Sequence, residues 1–299
     1  MTEESGIAPW PEGLSLSRLA AFLAVAEAGG LARAAPGDPT RQSQLSRQVR
    51  DVERALGVQL LTRHAQGVAL TASGTHLVTV LRDLQAGLAL VRDDTSMIDV
   101  TLAAGDSLLR WLILPRLPEA LSACPRISAT VAPVDDGWAA VREGYAHLGV
   151  ARSRPREDGL RVRRLGVWRY ALFVPRSLTV DPRDAEGIAG LPFVAVTAAT
   201  RPLERLEKTL RRKVRVALHC VTFPQAARAV ATGAYAAVLP MLAESDVPAA
   251  MAVPIPVPGL DALDEPLVLV VRARTVEAAR PLGDLFESLG RRLALPGQR

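Results

Sequence analysis

Apolar residues near the start of the chain recur at the spacing of one helix face. The residues at this spacing are Leu16, Leu19, Leu23 and Ala26. Ser15 precedes them as a suitable N-cap and Gly29 follows them, so the pattern predicts a helix over residues 16–28. The next segment, LARAA, predicts a helical turn that ends at the run PGDP, because proline and the residue before it disfavour helical backbone.

A second amphipathic helix is predicted to begin at Thr40, as its N-cap, and to end at Gly57. Its apolar positions are four, three and four residues apart, at Leu45, Val49, Val52 and Leu56. These positions form the buried face. The opposite face then presents polar and basic side chains to the exterior, and these are Gln42, Ser43, Ser46, Arg47 and Arg50.

Two short apolar runs follow, VQLL at 58–61 and VALT at 68–71, and they are typical of a two-stranded ribbon. Helix, broken turn, helix and ribbon in this order indicate a winged helix-turn-helix over residues 14–73, after a flexible N-terminus over 1–13. A long helix over 74–94 is predicted from a narrow apolar stripe. The stripe consists of Leu77, Val80, Leu81, Leu84, Leu88 and Val91. Such a stripe favours pairing with a second copy of the helix, and packing onto the same chain is the alternative.

Beyond residue 96, short apolar runs alternate with helical segments, which is typical of an α/β domain with ligand sites at strand ends. The content of 49% hydrophobic and 22% charged residues is typical of a folded soluble protein. No apolar run approaches the roughly 20 residues that a membrane helix needs, and the acidic start differs from a secretion signal. A cytoplasmic protein without a membrane partner is therefore expected.

The net charge of +5 is unevenly placed. Residues 1–96 hold nine arginines and ten acidic residues, so the excess lies farther along, mainly at 152–169 and 201–215. Overall basicity is therefore no argument for nucleic-acid binding by the N-terminal segment, and the polar face of the second helix has to supply that argument. For the run at 201–215, a solvated helix face competes with an acidic neighbouring subunit and with accessory DNA contact.

The segments LSRLAAFLAVAEAGGLARAA and RQSQLSRQVRDVERALGVQLLTRHAQGVALTASG resemble the DNA-binding domain of LysR-type bacterial transcriptional regulators. The residues that match the family motif are Ala34, Ala35, Gln42, Leu45, Ser46, Arg47, Gln48, Glu53, Leu56, Gly57, Leu60, Arg63, Leu70, Thr71 and Gly74. The rest of the chain resembles the effector-binding part of the family in length and pattern. The resemblance implies a sequence-specific DNA-binding regulator controlled by a small-molecule effector.

The resemblance places the second helix in the major groove of double-stranded DNA. Gln42 matches the base-contacting glutamine of the family, Ser46 and Arg47 match its backbone contacts, and Arg50 lies one turn farther on the same face. Arg63 matches a position near DNA, with a structural salt bridge as the alternative.

The chain departs from the family at three positions of this helix. Arg41, Ser43 and Gln44 replace the usual Ser, Pro and Ala, so the base contacts must differ. All three are candidate DNA-binding residues.

The resemblance also implies two α/β subdomains around a cleft, as in periplasmic binding proteins. The first is expected at 97–171 and 268–299, and the second at 172–267. The candidate effector-binding residues follow strand-like runs and are Ser107, Arg152, Thr197, Thr200 and Thr222. For Ser107, capping its own helix is the alternative. Helix N-termini suit a small anion, whereas Asp106 would favour a cationic or neutral effector.

The expected partners are double-stranded DNA, an unidentified effector and further copies of the chain. A dimer is expected through the helix at 74–94 and a tetramer through the effector-binding parts, with RNA polymerase as a further candidate partner. The competing class is a small-molecule-binding protein or enzyme whose N-terminal helices do not bind DNA. The four histidines show no metal-ligand spacing, and no nucleophile or phosphate-loop motif is present, so no catalytic residue, metal or cofactor is predicted.

Overall fold

The computed structural model describes residues 11–64, 67–91, 97–152, 157–178, 180–181 and 184–295. Most of the segment expected to be a flexible N-terminus, residues 1–10, lies outside this description. The chain divides into two compact units, residues 1–92 and 93–299. In the described ranges, no helix combines the length and the hydropathy required to cross a membrane.

The N-terminal unit has the order helix, helix, helix, ribbon, helix. Its elements are α1 (Leu16–Ala28), α2 (Leu31–Ala34), α3 (Pro39–Leu56), β1 (Leu61–His64), β2 (Gly67–Leu70) and α4 (Ala72–Val91). The hydroxyl of Ser15 accepts a hydrogen bond from the amide of Arg18, and Gly29 closes α1 with a left-handed φ of 66°. The helix predicted over 16–28 is confirmed.

The start of α3 differs from the prediction. Its N-cap is Asp38 and not Thr40, because Oδ1 of Asp38 accepts a hydrogen bond of 2.8 Å from the amide of Arg41. Pro39 is the first helical residue, a position that needs no N–H donor and suits the fixed φ of proline. The end at Gly57 is confirmed, since Gly57 adopts a left-handed φ of 67°.

The ribbon begins three residues later than predicted. β1 pairs antiparallel with β2, from Leu61 opposite Leu70 to His64 opposite Gly67. The amides of Leu60 and Leu61 donate to Oε1 of Glu53, at 2.8 and 3.2 Å. The segment 58–60 is therefore held against the end of α3, and strand pairing starts only after it.

One part of the apolar stripe of α4 packs into the core of the N-terminal unit, and another part is exposed. Leu81 is buried in the core of the N-terminal unit, with Leu77 and Leu84 partly buried against it. Val80 and Leu88 remain exposed, at 43% and 47%. Packing onto the same chain thus accounts for one part of the stripe and leaves the other part available.

The C-terminal unit contains a five-stranded sheet in the order β4-β3-β5-β12-β6, a three-stranded sheet β10-β7-β11 and a two-stranded sheet β8-β9. The strands are β3 (Ile98–Ala104), β4 (Ile127–Pro133), β5 (Leu148–Arg152), β6 (Leu160–Trp168), β7 (Tyr170–Pro175), β8 (Pro192–Val196), β9 (Arg215–Cys220), β10 (Ala237–Pro240), β11 (Ala252–Ile255) and β12 (Glu265–Arg272).

The helices of this unit alternate with its strands. They are α5 (Asp106–Leu108), α6 (Leu117–Ser122), α7 (Gly137–Arg142), α8 (Ala185–Gly190), α9 (Arg201–Leu210), α10 (Phe223–Val230), α11 (Ala273–Ala278) and α12 (Arg280–Arg292). A π-helical segment, Leu109–Ile113, continues α5. The predicted α/β architecture is confirmed.

The two larger sheets define two subdomains. The first subdomain holds the five-stranded sheet and occupies the described parts of 97–168 and 265–295; the second occupies the described parts of 170–264. The chain changes sheets between Trp168 and Tyr170 and returns at Glu265. Tryptophan side chains at 111, 138 and 168 are buried in this unit, with exposures of 3%, 1% and 7%.

Candidate DNA-binding surface and effector cleft

The orientation of α3 is fixed by its apolar side. Leu45, Val49 and Val52 are buried in the core of the N-terminal unit. The opposite side carries the residues predicted to contact DNA. Of these, Arg41, Ser43, Gln44, Arg47 and Arg50 are exposed, and Gln42 and Ser46 are half-buried.

The arginines of this side differ from Arg18 and Arg54 in their partners. Within the described ranges, Arg41, Arg47 and Arg50 form no ion pair, and Nε of Arg50 donates only to the carbonyl of Ser46, at 3.3 Å. Arg18 and Arg54, by contrast, both pair with Asp51, at 3.5 and 2.8 Å. The polar side of α3 therefore concentrates positive charge without local neutralisation, which suits contact with phosphate groups.

Gln42 has a defined partner. Its Nε2 donates a hydrogen bond of 2.8 Å to the carbonyl of Ala35, which ties the start of α3 to the turn after α2. The amide retains its oxygen and one further N–H, the two groups that a paired contact with adenine uses. The contact with Ala35 thus restricts the orientation of Gln42 and leaves it able to contact a base.

Arg63 lies in β1 opposite Val68, on the first strand of the ribbon. The position of its side chain lies outside the described part of the structure. Its expected role near DNA therefore stays a prediction.

Three other residues of the family motif hold the ribbon and α4 in place. Glu53 binds the amides at the start of β1, and the hydroxyl of Thr71 donates to the carbonyl of Gln59 at 2.7 Å. At Gly74, an added Cβ would lie 2.1 Å from the carbonyl oxygen of Leu60. The motif thus includes residues that shape the domain as well as residues that face outward.

A cavity of about 200 Å³ lies between the two subdomains of the C-terminal unit. It is lined by Gly105, Asp106, Ser107, Leu108, Arg152, Trp168, Tyr170, Ala199 and Phe223. Two of the five predicted effector-binding residues, Ser107 and Arg152, are therefore brought together here. We call this cavity the cleft.

The three predicted threonines are not among the lining residues. Thr222 caps α10, where its hydroxyl accepts from the amide of Gln225 in a capping box. The hydroxyl of Thr197 donates to the carbonyl of Cys220 at 3.2 Å, and Thr200 precedes α9 without a side-chain cap. Their neighbours Ala199 and Phe223 line the cleft instead.

The alternative role for Ser107, capping its own helix, is wrong. The N-cap position of α5 is Gly105, which has no side chain, and Ser107 lies within the helix. Its position on the wall of the cleft remains compatible with a ligand contact.

Aromatic rings form one side of the cleft and were not predicted there. The ring centroids of Trp168 and Tyr170 are 6.1 Å apart in a T-shaped pair, and those of Tyr170 and Phe223 are 5.9 Å apart. Burial raises the pKa of Tyr170. In the sequence, the only signal was the segment WRY, where two aromatic residues alternate with an arginine.

A cluster of opposite charges lies beside these rings. Nη1 of Arg152 is 2.9 Å from Oε2 of Glu265, and Nη1 of Arg201 is 3.6 Å from Oε1 of the same carboxylate. Arg201 belongs to the second subdomain, whereas Arg152 and Glu265 belong to the first. This cluster therefore joins the two subdomains at one edge of the cleft.

A larger cavity of about 680 Å³ shares Trp168 and Tyr170 with the cleft. Its wall is mainly apolar, with Leu242, Val257 and Leu260 among the lining residues. None of the five predicted effector-binding residues lines it. The smaller cleft is thus the better match to the predicted site.

The basic run at 201–215 is largely an exposed surface with local partners. Lys213 lies 2.6 Å from Glu207, Arg212 lies 3.5 Å from Glu186, and Nε of Arg205 donates to the carbonyl of Gly259 at 2.8 Å. These contacts favour the solvated helix face among the three interpretations.

Comparison with known families gives two matches that together span most of the chain. Residues 16–75 match the bacterial regulatory helix-turn-helix proteins of the lysR family, and residues 99–291 match the LysR substrate binding domain. The chain is similar to the HTH-type transcriptional regulator TcbR of Pseudomonas sp. (strain P51), with 29% identity over 251 residues. That alignment covers 80% of this chain and 84% of TcbR. The chain spans less than two thirds of the length of the first curated relatives that it matches.

Solved structures show the same fold. ArgP from Mycobacterium tuberculosis matches with a TM-score of 0.70 and 20% identity, over 95% of this chain and 98% of ArgP. Full-length CbnR, in a complex with its target DNA, matches with a TM-score of 0.56 and 22% identity, over 94% of this chain and 100% of CbnR. The fold of the chain is therefore shared with these proteins.

Proposed function

The chain belongs to the LysR family of bacterial transcriptional regulators, and we propose that it binds an operator in double-stranded DNA through α3, under the control of a small-molecule effector in the cleft. The observation that carries this proposal is the outward side of α3. That side presents polar groups and arginines that form no ion pair within the described residues, while its apolar side is buried. A helix with this division can enter a major groove without exposing its core residues.

The residues of α3 divide into two roles. Gln42, Ser43 and Gln44, in its first two turns, contact base edges, while Arg41, Ser46, Arg47 and Arg50 contact the phosphate backbone. Arg63 on the ribbon adds a further phosphate contact, which rests on the family resemblance alone. Because the N-terminal segment has no net positive charge, we expect modest affinity for nonspecific DNA.

A second copy of the chain binds along α4. An apolar cavity of about 370 Å³ lies in the N-terminal unit and is lined by Leu14, Ser15, Leu16, Leu19, Leu84 and Leu88. Leu16 is 60% exposed and Leu88 is 47% exposed. Exposed leucines beside an apolar cavity support an interface with a second copy. The effector-binding units of two dimers then associate into a tetramer.

The effector binds in the cleft at Ser107 and Arg152. Because the cleft lies between two subdomains, a ligand there contacts both and shifts the population of subdomain arrangements that it binds more tightly. Thr197, Thr200 and Thr222 lie close in sequence to the segments that bear Ala199 and Phe223. The hydrogen bonds of Thr197 and Thr222 help to hold the backbone of these segments.

A regulator requires no catalytic group, and membership of a family of transcriptional regulators favours this function over an enzyme. In the described part of the chain, no three potential metal ligands are grouped together. A protein that binds the bacterial chromosome acts in the cytoplasm, which is where we place this chain.

The experiment that tests the function is selection of genomic fragments by the purified protein, followed by footprinting of the retained fragments. We expect fragments that share a sequence with two related half-sites, separated by about one helical turn or a multiple of it. Retention of fragments without a shared sequence, or binding that occurs only at low salt, would refute sequence-specific regulation.

A further inference from the structure

The cleft gathers aromatic residues that are scarce in this chain. Aromatic residues make up 4% of the sequence, yet Trp168, Tyr170 and Phe223 all line one small cavity. They come from different elements, at the end of β6, the start of β7 and the start of α10. Three rings with centroid separations of about 6 Å provide apolar surface that favours a planar ring at edge-to-face or offset geometry.

The volume of the cleft limits the size of its ligand. An engineered apolar cavity of about 150 Å³ is large enough to bind benzene. At about 200 Å³, the cleft has room for one six-membered ring and one small substituent. It is below the range of about 300–1,000 Å³ that is typical of drug-sized ligands.

The charge beside the rings favours an anion. Two guanidinium groups, of Arg152 and Arg201, share the single carboxylate of Glu265. Burial is the main cause of the raised pKa of Tyr170; Arg152 and Arg201 oppose the rise and Glu265 adds to it, so the charges of this cluster act on the ring that lines the cleft. Asp106 also lines the cleft, where it is exposed and belongs to the same subdomain as Arg152.

Glu265 occupies a position that the strand register defines. Arg152 lies opposite Leu267 in the pair of β5 and β12, so Glu265, two residues away on the same face, reaches the guanidinium diagonally. Glu265 also lies opposite Trp168 in the pair of β12 and β6. The backbone of Glu265 thus lies between the strand that carries Trp168 and the strand that ends at Arg152.

We propose that Glu265 occupies the place of a ligand carboxylate, and that the cleft binds a small aromatic acid whose carboxylate exchanges with Glu265 on Arg152. The ring of the ligand packs against Trp168, Tyr170 and Phe223. Exchange removes Glu265 from Arg152 and changes its contact with Arg201, which belongs to the other subdomain. The proposal rests on the proposed function, because it names the effector class for the same cleft.

Four probes separate the contributions of ring and charge. Binding of benzoate, benzamide, benzylammonium and acetate to the full chain can be measured by titration calorimetry. We expect benzoate to bind at least about tenfold more tightly than the other three, since a charge-assisted hydrogen bond contributes about 1.5–3 kcal/mol. Tighter binding of benzylammonium would assign the site to cations, and equal binding of benzamide would remove Arg152 from recognition; either result overturns the proposal.

Variants test the role of Glu265 itself. Glu265→Gln is expected to tighten benzoate binding by about two- to fivefold, because a competing exposed ion pair contributes about 0.2–1 kcal/mol. Arg152→Gln is expected to weaken it by about tenfold or more. Glu287→Gln is the matched control, since Glu287 also pairs with two arginines, Arg161 and Arg163, away from the cleft. Unchanged or weaker benzoate binding in Glu265→Gln contradicts the exchange.

DNA binding by the same preparations distinguishes the two proposals. A protein that binds its selected DNA but no benzoate at millimolar concentration refutes the inference about the ligand and leaves the regulatory function standing. A protein that binds benzoate but no DNA refutes the regulatory function alone.

Discussion

The indole Nε1 of Trp111 donates a hydrogen bond of 2.8 Å to the carboxylate of Asp246 and thereby joins the two subdomains of the C-terminal unit. Nη2 of Arg110 donates to the same carboxylate at 3.2 Å, and its Nε forms a second contact. Trp111 is buried in the core of the second subdomain although it belongs to the first. The hydrogen bond from Arg110 is the main cause that lowers the pKa of Asp246. This link, with the cluster around Glu265, connects the subdomains at two points.

Replacing Asp246 by Asn is expected to lower the stability of the C-terminal unit. The substitution removes the negative charge of the group that accepts hydrogen bonds from Trp111 and Arg110. We expect this loss to lower the unfolding free energy by about 1–3 kcal/mol, and the melting temperature by about 2–4 °C for each kcal/mol. Thermal unfolding followed by circular dichroism measures the change. Glu143→Gln, which affects an exposed pair within one segment, should shift the melting temperature by much less. Equal shifts of the melting temperature in the two variants would show that the contacts of Asp246 with Arg110 and Trp111 stabilise the unit no more than an exposed ion pair does.

The stabilising effect of Asp246 is expected to depend on pH in one direction. Its pKa in the folded protein lies below the ordinary value of about 3.9, so its contribution is complete above that value and is lost as pH falls through the lower, folded pKa. The difference in unfolding free energy between the native chain and Asp246→Asn should therefore shrink in acid. Denaturant unfolding at neutral pH and at successively lower pH measures this free-energy difference. A difference that grows as the pH falls would contradict the contact of the Asp246 carboxylate with Arg110 and Trp111.

Substitution of Gly74 by Ala is expected to destabilise the N-terminal unit. The new Cβ would lie 2.1 Å from the carbonyl oxygen of Leu60, so α4 must move away from the segment that precedes β1. Such overpacking costs about 1–3 kcal/mol. Ser73→Ala, at the exposed neighbouring position of the same helix, is the control. Thermal unfolding measures the melting temperature of both variants. A Gly74→Ala protein as stable as the control would show that α4 can shift without cost.

Leu88→Asp is expected to weaken self-association. Leu88 is exposed on α4 and lines the apolar cavity of the N-terminal unit, so a charge there must be desolvated in an interface between two copies. Gln85→Asp adds the same charge at an exposed position of the same helix and serves as the control. Light scattering at micromolar protein concentration measures the mass. A lower mass for Leu88→Asp alone is the expected result, and an unchanged mass would place the interface elsewhere.

The parts of the fold that depend on local pattern could be predicted from the sequence. Helix α1 and the buried face of α3 follow from the spacing of apolar residues, because that spacing determines the amphipathic face. The start of α3 was misplaced because both Asp38 and Thr40 are good caps, and Pro39 at the first helical position decides between them. The start of β1 depends on Glu53, seven residues before Leu60, and the pattern of β1 contains no sign of that contact.

The cleft was less predictable because its walls come from distant segments. Ser107 follows β3 and Arg152 ends β5, two parallel strands of one mixed sheet, and the rule that sites lie at strand ends identified both. The same rule selected Thr197, Thr200 and Thr222, which lie next to lining residues. Trp168, Tyr170 and Phe223 meet only because the chain changes sheets after Trp168, and Glu265 reaches Arg152 through the register of β12.

The DNA-binding role of the chain depends on the polar side of α3 facing DNA. The direct test is the salt dependence of binding to the selected operator by the native chain, by Arg47→Ala and by the control Arg54→Ala, whose arginine pairs with Asp51. Arg47→Ala should lose one phosphate contact, which reduces the slope of log affinity against log salt concentration by about 0.9 and weakens binding to all DNA sequences. Arg54→Ala should change neither the slope nor the affinity. Native affinity and slope in Arg47→Ala, or equal losses in both variants, would contradict the assignment of α3 to the DNA surface.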